Sequence, residues 1–448
     1  MVLLLECKTL LIKITPMVFR LKPLSRLHSV SFAVLMLQSL TACETMLPIT
    51  RQSEAVFEPL PTAVETHVFK VQDEQSSIGL NAHIPAKAND TLSDLARHFG
   101  LGFDEIQMAN PGVDPWVLTD KQGIVLPLQY LLPEAPKKGI VINLANMRLF
   151  FYPPKQANTV VTYPIGIGRD GWNTPLGKTS VITKRYKPDW TAPESILKEH
   201  QQLNEPLPKV IRSGPDNPLG LYAMNLGFKG YLIHGTNKPY GIGMQVSHGC
   251  IQMYPEDIEA LFPQVDLKTQ VNIIHQPYML GFKDKVLYVE AHPSLEKWKS
   301  QQKSQQANLI KRLKTAAASY HLTVDWQKVQ QVLKQADGVP SPVTLPEPAV
   351  TKIALDHPPA LNAQPIVEAN LDNQHWYLSV DEVMEEYSAK KLAAMLNHQG
   401  PAIPVRSLPK QEKFAVIAGP FQSKQEANSV KTRIKKTFDL KSELIVPH

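Results

Sequence analysis

Short apolar runs rich in β-branched and aromatic residues, broken by Gly and Pro, fill the middle of the chain and predict strands. Ile140-Val141-Ile142-Asn143-Leu144 and Met147-Arg148-Leu149-Phe150-Phe151-Tyr152 predict a hairpin turning at Ala145-Asn146, with a further strand from Val160 to Ile167. Gly230-Tyr231-Leu232-Ile233-His234 is another short strand, after which Gly235 and Gly241-Ile242-Gly243 open a loop. Tyr254-Pro255-Glu256-Asp257 starts a helix, because Pro suits the first helical position and acids suit the first turn. Many short strands with Gly/Pro turns argue for a β-rich sandwich over residues 139–277. Inside it, the long Pro-containing stretch between Lys184 and Leu219, with a helical piece from Glu194 to Gln202, reads as a functional lid.

The flanks have other rhythms. Thr91 can cap a helix with Asp94 three positions on, and Leu92, Leu95, Ala96 and Phe99 keep helical spacing. A second helix from Phe103 stops at Asn110-Pro111-Gly112, and Gly123 to Pro127 closes a small α+β unit over 81–132. Residues 44–80 read as a tether entering a strand at Val68. Residues 295–336 are polar and helical, with sparse apolar stripes at Leu309, Leu313, Val329 and Leu333, and read as a solvated extension. A Pro-rich linker follows over 338–373. The last segment, 374–448, is read as βαββαβ, with these of its elements placed by pattern: strand Trp376 to Val380, helix Ser388 to Asn397 before a stop at Gly400, strand Phe414 to Ala418, a helix capped by Ser423 and Glu426, and a closing strand Ser442 to Val446.

Composition narrows the picture. With 448 residues, 43% hydrophobic and 20% charged, the chain is long enough for two to four globular domains. A net charge of +6 from 47 basic and 41 acidic residues, without a Lys/Arg run, carries no nucleic-acid footprint. From Met17, the basic residues Arg20, Lys22 and Arg26 precede an apolar run from Val30 to Leu37, the order of an export signal; the run is too short for a span of about 20 residues. Of the three cysteines, Cys7 and Cys43 lie within residues 1–43, read as the export-signal segment, and Cys250 stands alone.

Cys250 is where chemistry concentrates, in Ser247-His248-Gly249-Cys250-Ile251-Gln252-Met253 after His234-Gly235-Thr236. A cysteine attacks as thiolate, and an imidazole within reach takes its proton, so an active Cys250 is expected to ionise below the usual value of about 8.5. The turn between strand and helix presents it, Gly249 lets the backbone approach a substrate, and the amides of Gly249 and Cys250 could form an oxyanion hole worth roughly 3 kcal/mol per donor. One Cys with two His and no Cys pair falls short of a zinc site, and no cofactor is implied.

These motifs resemble the L,D-transpeptidases with a YkuD-type catalytic domain, whose pattern is His-Gly followed by Ser/Thr-His-Gly-Cys and commonly Ile-Arg; Thr174-Pro175-Leu176-Gly177 resembles the family's Thr-Pro-x-Gly. The resemblance implies Cys250 as nucleophile, His234 as proton acceptor and donor, and Ser247, His248 and Gly249 shaping the site. Gly235, Thr236 and Gln252 are expected beside the substrate, and Trp190 and Tyr186 in its wall. Gln252 stands where the family usually has Arg, which removes a fixed cation. The unit 81–132 resembles a LysM module, a βααβ glycan binder, and 374–448, through Val416-Ile417-Ala418-Gly419-Pro420-Phe421, resembles a ferredoxin-like SPOR domain. Leu40-Thr41-Ala42-Cys43 resembles a lipobox, with Cys43 acylated and Glu44 suiting outer-membrane sorting.

Together the resemblances imply a periplasmic enzyme, lipid-anchored to the outer membrane and enriched at the septum, acting on peptidoglycan stem peptides and glycan strands. The acceptor of its acyl group would be another stem, an envelope lipoprotein or water. A same-fold hydrolase and a non-catalytic envelope scaffold stay open as alternatives.

Overall fold

The computed structural model describes residues 66–448 apart from 73, 203–206, 350–352, 362–370, 384, 399–402 and 448. The export signal with Cys43, the tether up to residue 65 and the stop at Gly400 lie outside the described residues. The contacts below fall within one compact unit, Ala55–His448.

The catalytic region is organised on a nine-stranded sheet. In spatial order its strands are Val68–Lys70, Thr159–Pro164, Arg148–Tyr152, Gly139–Asn143, Gln270–Ile274, Gly177–Tyr186, Tyr222–Leu226, Leu232–His234 and Ile251–Gln252. The expected hairpin forms in the expected register, with Ile142 opposite Leu149. Ile140, Phe151 and Val161 from one end of the sheet share a core with Ile233 and Ile251 from the other, together with Ile258 and Leu261 of helix Pro255–Leu261. The opposite faces of the first strands, through Val141, Phe150, Tyr152 and Val160, pack on the N-terminal unit. Strand Arg148–Tyr152 is therefore buried on both faces, which explains why its sequence after Arg148 is continuously apolar rather than alternating.

The N-terminal unit has βααβ order: Ala82–Pro85, Leu92–His98, Phe103–Ala109 and Gly123–Leu126, its two strands antiparallel. Thr91 accepts from the Asp94 amide at 3.1 Å, as its position predicts. Asn110 ties the second helix to the closing strand, donating to the Ile106 and Val125 carbonyls and accepting from the Val125 amide, each at 2.8 Å. Glu105 meets the fully buried Arg148 at 2.7 Å, and Arg97 meets Glu256 at 2.7 Å. The amides of Phe103 and Asp104 bond the carbonyls of Ile242 and Gly243, so this unit holds the loop that leads into Ser247.

Three expectations are corrected. The strand expected at Val68 forms as Val68–Lys70 on the edge of the large sheet, but the stretch expected as tether holds a second strand, Ser77–Gly79 against Gln129–Leu131, whose Ile78 completes the adjoining core. The helical extension is not solvated: helices Gln302–Ser319 and Trp326–Gln335 bury Leu309, Leu313, Val329 and Leu333 against a hairpin, Tyr278–Lys283 with Val286–Ala291, that the sequence analysis did not separate. The Pro-rich linker contains paired strands, Ser341–Pro342, Thr344–Leu345 and Ile353–Ala354, the last adding to Ala82–Pro85.

The C-terminal unit runs Trp376–Val383, Glu386–Asn397, Val405–Lys410, Lys413–Phe421, Lys424–Phe438 and Glu443–Ile445. Its strands lie in the spatial order second, third, first, fourth. Ser423 caps the last helix by accepting from the Glu426 amide at 3.2 Å. The unit docks on the N-terminal one through buried His398, 2.9 Å from Asp94, and Lys391, 2.7 Å from Asp114. No helix among the described residues is long and apolar enough to cross a membrane.

Candidate active site

Parallel pairing of Leu232–His234 with Ile251–Gln252 assembles the site. Ile233 lies opposite Ile251, and both enter the core; alternation then puts Leu232 and His234 on the other face, shared with Cys250 and Gln252. The apolar strand that ends at His234 thus serves as the template that delivers the cysteine beside it.

His234 is buried, and its Nδ1 donates to the Gly235 carbonyl at 2.6 Å. A carbonyl can only accept, so the ring proton sits on Nδ1 and Nε2 is left as the acceptor. Burial lowers His234 to about 4, with the Arg185 charge acting in the same direction and the Gly235 carbonyl against it. Burial likewise pushes the Cys250 thiol up to about 11. The direction is opposite to the low-pKa cysteine expected from the sequence: burial favours the neutral form of each group.

Ser247 shapes the turn. Its hydroxyl donates to the Cys250 carbonyl at 2.6 Å and accepts from the Gly249 amide at 3.1 Å. The Gly249 amide is therefore already engaged, which corrects its expected place in an oxyanion hole. Gly249 is required for a different reason: its φ is +101°, and a Cβ there would lie 2.9 Å from the Tyr231 ring and 3.2 Å from the Trp172 carbonyl. Thr174, of the Thr-Pro-x-Gly segment, donates to the Gly249 carbonyl at 2.8 Å and so ties that segment to the turn.

His248 points elsewhere. Its Nε2 lies 2.7 Å from Glu199 on helix Glu194–Gln202 and 3.0 Å from Arg169, while Arg169 also pairs with Glu199. The helix expected in the lid is thereby fastened to the motif. Trp172 meets His248 edge-on at 4.8 Å. The lid also carries paired strands Trp190–Thr191 and Val210–Ile211, stitched by buried Asn217, which donates to the carbonyls of Pro188, Ile211 and Arg212.

The remaining expected residues divide. Gln252 pairs through its backbone with Gly166 and lines a cavity of about 350 Å³ with Trp116, Tyr240, Met244 and Val246. Gly235 packs against Ile258, and Thr236 is buried with its hydroxyl accepting from the Lys238 amide, so both build the turn rather than a substrate surface. Trp190 sits on the lid strand opposite Ile211. Tyr186 is corrected. It stands opposite Tyr222, whose ring it meets at 5.1 Å, and Tyr222 in turn meets Phe262 at 5.0 Å, on the sheet face away from Cys250.

The cause is a bulge between Val181 and Thr183 that shifts the alternation of the strand. Arg185, not Tyr186, consequently shares the face of His234, through the pairs Arg185–Ala223 and Ala223–His234. Arg185, Arg169, Glu199 and Trp172 stand in no motif and carry no signal in the sequence. Among the described residues no group of His, Cys, Asp and Glu could hold a metal ion.

A lone cysteine and a histidine on one face of neighbouring strands can serve cysteine acyl transfer. Residues 137–273 match the L,D-transpeptidase catalytic domain, YkuD, and residues 372–442 match the SPOR domain. The Escherichia coli K12 protein named Probable L,D-transpeptidase YbiS is 37% identical over 295 residues, 64% of this chain and 92% of that one. Probable L,D-transpeptidase YcfS of the same strain is 45% identical over 199 residues, 44% of this chain and 62% of that one. Probable L,D-transpeptidase ErfK/SrfK of Salmonella typhimurium is 35% identical over 272 residues, 60% of this chain and 87% of that one. The chain belongs to the L,D-transpeptidase family and carries a C-terminal SPOR domain.

Proposed function

We propose that this protein is a peptidoglycan L,D-transpeptidase that works through an acyl-enzyme on Cys250. The observation that carries the reading is the common face of Cys250 and His234 on paired parallel strands, with His234 held as the tautomer whose Nε2 accepts a proton. The Cys250 sulfur attacks the carbonyl carbon of the diaminopimelate–D-Ala bond of a tetrapeptide stem as its proton passes to His234 Nε2. The tetrahedral adduct collapses to a thioester, and His234 returns that proton to the departing amine of D-Ala. An acceptor amine, from a second stem or an envelope lipoprotein, then gives up a proton to His234, takes the acyl group and restores the thiol.

Neutral partners suit this cycle, since proton transfer and attack occur together and no standing ion pair is needed. Ser247 keeps the turn, Gly249 supplies its conformation and His248 fastens the lid; Trp190 and Gln252 border the bound stem. Gly235 and Thr236 keep His234 at its strand end.

The wider assignment rests on the modules. The βααβ unit, 81–132, serves as a LysM-like glycan binder, and 374–448 as a ferredoxin-like SPOR domain directing the enzyme to septal glycan, with 139–277 as the catalytic domain. Cys43 is the lipidated residue of an outer-membrane-anchored periplasmic protein. Tethered glycan binding raises the local concentration of stems at Cys250.

Intact-protein mass spectrometry after mixing with tetrapeptide stem tests the chemistry. The expected result is one tripeptide acyl group added at Cys250 and none in Cys250→Ala. An unmodified wild-type protein in a mixture that nevertheless loses D-Ala would refute the acyl-enzyme.

A further inference from the structure

The bulge at Val181–Thr183 turns one cation onto the reactive face of the sheet. Two rows of side chains cross that face: Arg185, Ala223, His234 and Gln252 in one, and Thr183, Asn225, Leu232 and Cys250 in the other. Lys184, on the opposite face, donates to the Phe262 and Val265 carbonyls at 2.6 Å each. Its neighbour Arg185 has no such employment. Its Nε is buried without a hydrogen-bond partner, and its Nη1 reaches only the Asp189 carbonyl, at 3.5 Å, the outer limit of a hydrogen bond.

Other arginines around the catalytic region are matched: Arg97 with Glu256, Arg148 with Glu105, Arg169 with Glu199 and Arg212 with Asp189. Among the described residues no carboxylate lies within ion-pair distance of Arg185. A partly enclosed guanidinium with an open fork is a receptor for a planar anion. In the second row Asn225 Oδ1 is also buried without a partner, an acceptor aimed at the same surface. The far end of the Arg185 row is Gln252, which carries no charge, so the cation that this face offers stands at its opposite edge.

We propose that Arg185 binds a carboxylate of the donor stem peptide and so aligns the scissile carbonyl between Cys250 and His234, with Asn225 accepting from an N–H of the same ligand. The choice of a stem peptide rests on the transpeptidase reading; the choice of an anion rests on Arg185 alone. Two stem carboxylates fit the chemistry, the C-terminal one and the side-chain one of diaminopimelate.

The test separates the two foundations. Alkylation of Cys250 in the full-length protein is followed at the Cys250 peptide with iodoacetate, an anion, and iodoacetamide, its neutral analogue. Arg185→Gln should lower the iodoacetate-to-iodoacetamide rate ratio about tenfold, and Arg185→Lys should retain most of it. A merely structural role would change both rates together and leave the ratio unmoved, which overturns the proposal. In turnover, Arg185→Gln should raise KM for the stem at least tenfold, and amidation of whichever carboxylate is bound should erase that difference. If neither amidation erases it, the proposal is overturned. If the alkylation ratio falls but no stem is turned over by the wild type, the anion site stands and the transpeptidase reading fails.

Discussion

His234 gives its Nδ1 proton to the carbonyl of Gly235, the residue that follows it, at 2.6 Å. That short contact within the turn fixes which nitrogen is free to serve Cys250, and it needs no third side chain. In the proposed mechanism a backbone carbonyl orients the base as a carboxylate does in a Ser-His-Asp arrangement, without adding charge.

The electrostatics predict an unusual alkylation profile. With Cys250 raised to about 11 and His234 lowered to about 4, the thiolate fraction at pH 8 is roughly a thousandth. Iodoacetamide labelling of Cys250 should rise steadily above pH 8, without a plateau between pH 5 and 8. A plateau there would reveal a thiolate–imidazolium pair and contradict the neutral resting state. His234→Ala should lower turnover by about 10²–10⁴.

The same burial links His234 to acid stability. A histidine whose folded pKa is about 4 against 6.5 unfolded disfavours folding once the unfolded chain takes up its proton. Stability is complete above 6.5 and falls as pH drops through 6.5 toward 4, by about 3 kcal/mol for this residue. Denaturant midpoints at pH 7 and pH 5 should therefore converge in His234→Gln. An unchanged separation would show that His234 is solvated.

Ser247 serves two backbone groups with one hydroxyl. Ser247→Ala strands a buried amide and a carbonyl, so the protein should lose about 1–3 kcal/mol and turnover should fall with it. Ser247→Thr, which keeps the oxygen, should restore most of both. Equal loss in the two variants would place the effect in packing.

Glu199 holds both His248 and Arg169 and so fastens the lid helix to the motif. Glu199→Gln should speed amide hydrogen exchange across Glu194–Gln202 while leaving helix Pro255–Leu261 protected. Unaltered exchange in the lid would remove Glu199 from that role.

Much of the centre of this protein could be read from local pattern. The hairpin at Ala145-Asn146, the strand ending in His234, the helix opened by Pro255 and the cap at Thr91 each depend on residues close in sequence. What escaped depended on distant partners. Leu309, Leu313, Val329 and Leu333 look too sparse for a core until the hairpin Tyr278–Lys283 and Val286–Ala291 supplies the other half. Tyr186 was expected in the wall of the site from its place at the start of the long Pro-containing segment; the bulge at Val181–Thr183, which turns it to the other face, has no local sequence signal. Glu199 and His248 meet across 49 positions, beyond any local signal.

The central claim is that Cys250 passes a stem acyl group to an amine. The most direct measurement incubates the full-length protein with disaccharide-tetrapeptide and resolves the products by mass spectrometry against Cys250→Ala. Joined stems lacking one D-Ala, absent in the variant, are the expected products. Tripeptide alone, with no joined product even when an amine acceptor is supplied, would identify a hydrolase and contradict it.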